Sequence, residues 1–170
     1  MGMRNWVVGV VIVVALADPS QAVSDSKAPS IYSVQPSDFV LMFENCQMSV
    51  TTLGSDEVKS MPATPILHVC REEVRGKRIA CKGYSNTDTL DDLEEFTLFR
   101  ESKKALPKGA RGGTYKNEIA HFTVGVLSTG TGFAHGIWRI GGSGSGVVGA
   151  RVCSGAATTG KLFLEQLNSK

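Results

Sequence analysis

No apolar run in this sequence is long enough to cross a membrane as a helix. The longest, Trp6–Ala17, holds 12 residues, where a span needs about 20. No two cysteines stand in a C-x2-C arrangement, which removes the usual spacing of zinc ligands. A bias of charge is missing too. The net charge is +2, and taking away the first 22 residues, with Arg4 and Asp18, leaves it unchanged. The one basic stretch, "KKALPKGARGG" with Lys103, Lys104, Lys108 and Arg111, has the Pro and Gly of a solvated loop, so nucleic acid is not an expected partner. Connections long enough for a series of parallel crossovers, a dozen or more residues each, are also absent. Sheets built from this chain are therefore expected to be antiparallel.

What is present begins with an export pattern. Arg4 gives a basic start, the apolar run follows, Pro19 ends it, and Ser20-Gln21-Ala22 offers small residues at a cleavage site. Residues 1–22 read as a signal peptide, with a mature chain from about Val23 that is secreted or periplasmic and not inserted in the membrane. Residues 23–37, polar with Pro29 and Pro36, read as a flexible lead-in. Residues 38–170 read as a single antiparallel β domain.

Within that domain the apolar pattern is that of strands. "DFVLMFENCQMSVT", "ILHVC", "RIACKGY", "EEFTLFRES", "EIAHFTVGVL", "FAHGIWRI", "VVGARVCSG" and "KLFLEQL" are rich in β-prone residues and bounded by Gly, Pro, Asp or Asn. "GSDEVKSMPATP" reads as a break between strands, "KKALPKGARGGTYKNE" as a loop, and "DTLDDLEEF" as at most a turn or two of helix. The expected fold class is all-β, an antiparallel barrel of about eight strands, with a two-sheet sandwich as the alternative.

The stretch "IGGSGSGVVGARVCSG" raises a cofactor question. Gly144, Gly146 and Gly149 satisfy G-x-G-x-x-G, and Glu165 stands where a ribose-binding acid would. A dinucleotide loop needs a helix directly after it to hold the pyrophosphate. "VVGARVCSG" is β-branched instead, so no cofactor is expected and the glycines read as a turn between strands. For the same reason Gly142-Ser143-Gly144-Ser145-Gly146 is not a nucleophile elbow. Around this turn, "GIWRIGGSGSGVVGARVCSG" (residues 136–155) resembles the allene oxide cyclase and dirigent barrel families, in which a strand runs into a Gly-Gly-Thr-Gly turn and the next strand opens with Gly-Ala. Gly141, Gly142, Ser143 and Gly144 match the turn, and Gly149-Ala150-Arg151 match the opening. The resemblance implies an antiparallel barrel and transfers no catalytic residue.

Four cysteines, Cys46, Cys70, Cys81 and Cys153, suit an oxidising compartment. If Arg75-Gly76 form a hairpin turn, Cys70 stands opposite Cys81 within disulfide reach, and Glu73 stands opposite Arg78. Cys46 and Cys153 are the remaining pair, tying an early strand to a late one. No metal is expected: the acidic run Asp88, Asp91, Asp92, Glu94, Glu95 lacks the alternation and central glycine of a calcium loop.

Three histidines, His68, His121 and His135, lie inside strand-like segments, and each reads either as a satisfied sheet residue or as a functional one. If the "STGTG" turn puts the odd positions of its two strands on one face, His121, His135 and Arg139 form a polar patch. Trp138 reads as core or as the wall of a ligand mouth. His121, His135, Trp138 and Arg139 are therefore the candidate ligand-binding residues, and no catalytic residue is assigned. Ala120, Gly125, Ala134, Gly136, Gly149 and Ala150 leave room for a cavity. Two functions follow: a barrel that binds a small apolar ligand inside, or an envelope or extracellular interaction module, such as an inhibitor, with a filled core and a protein partner.

Overall fold

The computed structural model describes residues 28–74, 76–85, 92–101, 106, 108–142 and 144–170. The expected signal peptide, Lys103 and Lys104, and the acidic residues Asp88 and Asp91 lie outside these. Among the described residues there are nine strands: β1 (Phe39–Thr52), β2 (Val58–Ala63), β3 (Ile66–Glu73), β4 (Arg78–Tyr84), β5 (Asp92–Arg100), β6 (Arg111–Lys116), β7 (Ala120–Val126), β8 (Thr131–Gly141) and β9 (Val147–Thr159). A helix, α1 (Gly160–Asn168), ends the chain. Every pairing is antiparallel, and β9 returns to pair with β1 along almost its whole length. β1 and β3 to β9 thus close an eight-stranded barrel, and β2 lies outside it as an extra strand on the second half of β1. Closure pairs most of the barrel's strand edges within the chain.

Three segments differ from their sequence reading. "GSDEVKSMPATP" was expected to break the strands, yet it contains β2. Among the described residues this strand pairs on one side only, and it is exposed from Val58 to Pro62, so it needs no alternating apolar face, and Pro62 is tolerated on an edge. "KKALPKGARGGTYKNE" contains β6. Gly112 and Gly113 lie at φ 120° and 151°, and a Cβ on Gly112 would stand 2.1 Å from the carbonyl oxygen of Val124. These glycines let two strands approach closely, a strand use of residues that read as a loop. "KLFLEQL" is helix, not strand. The Thr159 hydroxyl accepts from the Leu162 N–H at 3.3 Å, an N-terminal cap ahead of residues with high helix propensity.

The hairpin of β3 and β4 has the expected register: Cys70 stands opposite Cys81 and Glu73 opposite Arg78. Arg78 Nε donates to Glu73 Oε2 at 3.1 Å. Both expected disulfides are formed, Cys70–Cys81 and Cys46–Cys153, each with Cα atoms 4.1 Å apart. All four cysteines point into the barrel among its core residues. The glycine-rich stretch is the β8–β9 turn, with Gly141, Gly144 and Gly146 in left-handed conformation at φ 77°, 96° and 71°.

A second apolar layer lies outside the barrel. Val40, Leu67, Val69 and Tyr84 are covered there by Ile31, Val34, Met42 and Phe163, so β3 is buried on both faces. The covering segment is held by Asp38, which is fully buried. Its carboxylate accepts from Arg71 Nε and Nη2, both at 2.9 Å, and from the Gln35 N–H at 2.8 Å. Its backbone carbonyl accepts from the Gly160 N–H at 2.7 Å. One side chain thereby joins the lead-in, the barrel wall and the start of α1.

Candidate functional site

The alternation of β3 sends Ile66, His68 and Cys70 inward and Leu67 and Val69 outward. His68 is fully buried, and its ring meets those of Phe43, Phe96, Phe122 and Trp138 at centroid distances of 5.5, 5.6, 5.3 and 5.8 Å. Phe43 and Phe122 also pack edge-on at 5.3 Å, and Phe122 on Trp138 at 5.4 Å. These five rings fill the barrel centre. Gly136 makes room for them: a Cβ there would come within 2.8 Å of Trp138 and 3.0 Å of Phe122. The small residues Ala120, Ala134 and Gly136 were expected to border a cavity; they are buried beneath aromatic rings instead.

His68 Nε2 lies 3.0 Å from Glu94 Oε1. The carboxylate reaches outward, with 26% of the Glu94 side chain exposed. Gly83 stands between strands β3 and β5 at this level, and a Cβ there would meet His68 Nε2 at 2.8 Å and Glu94 Cγ at 3.1 Å, so the pair depends on that glycine. Arg151, opposite Trp138 across β8 and β9, places its guanidinium 5.5 Å from the Trp138 ring. Two buried polar atoms in this region, His68 Nδ1 and Arg151 Nε, have no hydrogen-bond partner among the described residues. An unpaired buried polar atom costs about 1–3 kcal/mol, and a phenylalanine or leucine would fill the same space without that cost.

Burial drives the His68 imidazole below its ordinary pKa, outweighing the opposing hydrogen bond and charge of Glu94; the positive charge of Arg151 lowers it further. The contact with Glu94 is thus a hydrogen bond from a neutral ring, not an ion pair. The sign of the linkage follows. Below the unfolded-state value of about 6.5 the unfolded chain takes up a proton that the folded chain refuses until the pH reaches the lower native value. Stability is therefore full above that window and falls as the pH drops through it, by up to about 1.4 kcal/mol per pH unit from this group. In urea titrations between neutral and mildly acidic pH, His68→Gln should lose this part of the slope; an unchanged slope would place the proton uptake elsewhere.

The hairpin of β7 and β8 has the register in which His121 faces Ile137 and Thr123 faces His135. His121, His135 and Arg139 therefore share a face, as the odd positions allow. That face is the outside of the barrel: all three are exposed, while Trp138, one position out of phase, is 4% exposed and inward. Of the four candidate residues only Trp138 faces the barrel interior, because a strand sends successive side chains to opposite sides. His121 Nε2 lies 3.2 Å from Glu101 Oε2, and Lys116 Nζ meets the other oxygen, Glu101 Oε1, at 2.6 Å. His121, Trp138 and Arg139 do border one shallow outer depression of about 250 Å³.

The barrel wall is most weakly paired between β5 and β6. β5 and β6 pair through only Phe99–Lys116 and Arg100–Tyr115, against six pairs between β6 and β7. Asn117 Nδ2 crosses the seam to the Thr97 carbonyl at 3.1 Å, and an outer groove of about 770 Å³ with Phe99 and Ile119 on its sides runs beside it. No family model, curated protein or solved structure matches the chain.

Proposed function

We propose that this chain is an exported, disulfide-stapled β-barrel that takes up a small, mainly apolar ligand at the aromatic cluster around His68, the rings that fill the barrel centre moving apart to admit it. The observation that carries this reading is the fully buried imidazole, hydrogen-bonded to a part-exposed carboxylate and caged by four aromatic side chains. Unsatisfied polar groups kept in an otherwise apolar core call for an explanation, and a site that uses them supplies one. Ligand sites are mainly apolar with a few convergent polar groups, and the rings of Phe43, Phe96, Phe122 and Trp138 with His68, Glu94 and Arg151 have that make-up. The seam between β5 and β6 offers a route of entry. Two inward disulfides and the leader pattern support an oxidising compartment, and the barrel is the architecture that likeness of residues 136–155 to allene oxide cyclases and dirigent proteins implies.

N-phenyl-1-naphthylamine, an uncharged fluorescent probe, should bind the purified protein saturably and one to one. Phe96→Ala, at the part-exposed edge of the cage, should weaken it about tenfold, equivalent to roughly 1.4 kcal/mol. His135→Ala, on the outer face, should leave it unchanged. Melting curves of both variants show whether the fold is kept. Absence of saturable binding, or a larger loss in His135→Ala than in Phe96→Ala, contradicts the reading. A second reading, a protein-interaction module, is favoured by one observation: the outer face of β8 and β9 exposes Phe133, Ile137, Val148 and Val152 by 40% or more. Such apolar surface beside a free β2 edge suits a protein partner.

A further inference from the structure

We infer that two copies of this chain associate through β2, the free edge of each strand pairing with the other about a two-fold axis centred on Val58. This association is independent of the ligand reading. Among the described residues β2 is the last strand in the sheet order and pairs on one side only, with β1. Its outer N–H and C=O groups thus stand open to a further strand. A two-fold axis makes such a contact isologous, so the edge must be complementary to its own reverse.

The run Ser55-Asp56-Glu57-Val58-Lys59-Ser60-Met61 meets that demand in one register. With Val58 opposite Val58 of the second copy, Glu57 stands opposite Lys59 and Lys59 opposite Glu57, a favourable cross-strand pair on each side of the axis. Asp56 stands opposite Ser60, whose hydroxyl can donate to it. Centring on Glu57 or on Lys59 would set like charges against each other, and centring on Ser60 would set Lys59 against Met61. In the Val58 register Pro62, which has no N–H to give, falls just beyond the paired run. Residues 55–61 are all exposed, and Glu57 and Lys59 stand in no ion pair among the described residues. A lysine on a strand edge ordinarily discourages pairing; here the same strand carries the answering charge two positions away. The apolar surface follows the same geometry. Thr51 is paired with Val58 on one side and Val148 on the other, so these three share a face, where Val58 is 65% and Val148 42% exposed. The axis sets Val58 against its own copy and joins this face of both molecules into one sheet.

Sedimentation equilibrium of the disulfide-intact protein, at concentrations up to about 1 mM, tests this. The native chain should form a reversible dimer. Lys59→Glu and Glu57→Lys each turn both attractions into repulsions and should raise the dimer Kd by about tenfold or more. The variant carrying both changes exchanges the charges across the axis and should return to within about threefold of the native Kd. Both positions are exposed, so melting temperatures measured alongside should stay close to native. A monomer at every concentration overturns the inference. So do single variants that dimerise like the native chain, or a double variant as weak as the singles. Each of these outcomes leaves the ligand reading to its own test.

Discussion

Replacing Cys46 and Cys153 together by alanine should lower the unfolding free energy by about 5 kcal/mol, whereas the same change at Cys70 and Cys81 should cost about 3 kcal/mol. The two bridges span 107 and 11 residues of sequence, and a longer closed loop removes more freedom from the unfolded chain. Both bridges join directly opposed residues on neighbouring strands and both point into the core, so the volume lost inside the barrel is matched and the difference reports loop length. Cys46–Cys153 also spans the β1–β9 pairing that closes the barrel. For a domain of this size the loss corresponds to a fall in Tm of roughly 10 °C or more. Thermal and urea unfolding of the two double variants measures both numbers; a larger loss at Cys70–Cys81 would show that loop closure is not what the bridges contribute.

The second large effect belongs to the buried carboxylate outside the barrel. Arg71→Met should destabilise the protein by about 3–5 kcal/mol, because it strands the fully buried Asp38 charge. Asp38→Asn should cost less, about 1–2 kcal/mol, since the amide oxygen still accepts from Gln35 and the Arg71 side chain, 27% exposed, can turn to water. The asymmetry is the prediction. Equal losses, read from urea midpoints at neutral pH, would mean that the pair acts as an ordinary surface salt bridge. Loss of the pair should also loosen residues 28–37 and α1 together, because Asp38, Arg71 and Gly160 share one set of hydrogen bonds.

The fold was largely legible where local rules suffice. Alternating β-prone segments, short connections and the Arg75-Gly76 turn led to an antiparallel barrel, to the Cys70–Cys81 register and, by elimination, to Cys46–Cys153. β2 and β6 were hidden because an exposed edge strand and a glycine-opened strand do not show an apolar face. α1 was hidden because Leu162 and Leu164, two positions apart, imitate a strand, and the Thr159 cap is what marks the helix start. The site was less legible. His121 and His135 stand on adjacent strands of one hairpin, but the phase that gives them a common face also puts that face outside. His68 carried the better signal. It stands within "ILHVC", where every neighbour is apolar, so a histidine there is buried whichever face turns inward. Glu94 and Arg151 gave no signal of their own; only the register of β4 with β5 and of β8 with β9 brings them to it.

The most direct test of a ligand site inside the barrel is residue-resolved. Two-dimensional NMR of isotope-labelled protein, recorded with and without saturating N-phenyl-1-naphthylamine, shows which nuclei sense the probe. The largest shifts are expected at the His68 ring, the Trp138 indole, the Arg151 side chain and the amides of Glu94 and Phe96, with His121 and His135 little changed. Shifts confined to Phe133, His135, Ile137 and Val152 on the outer face, with His68 and Trp138 unmoved, would contradict it.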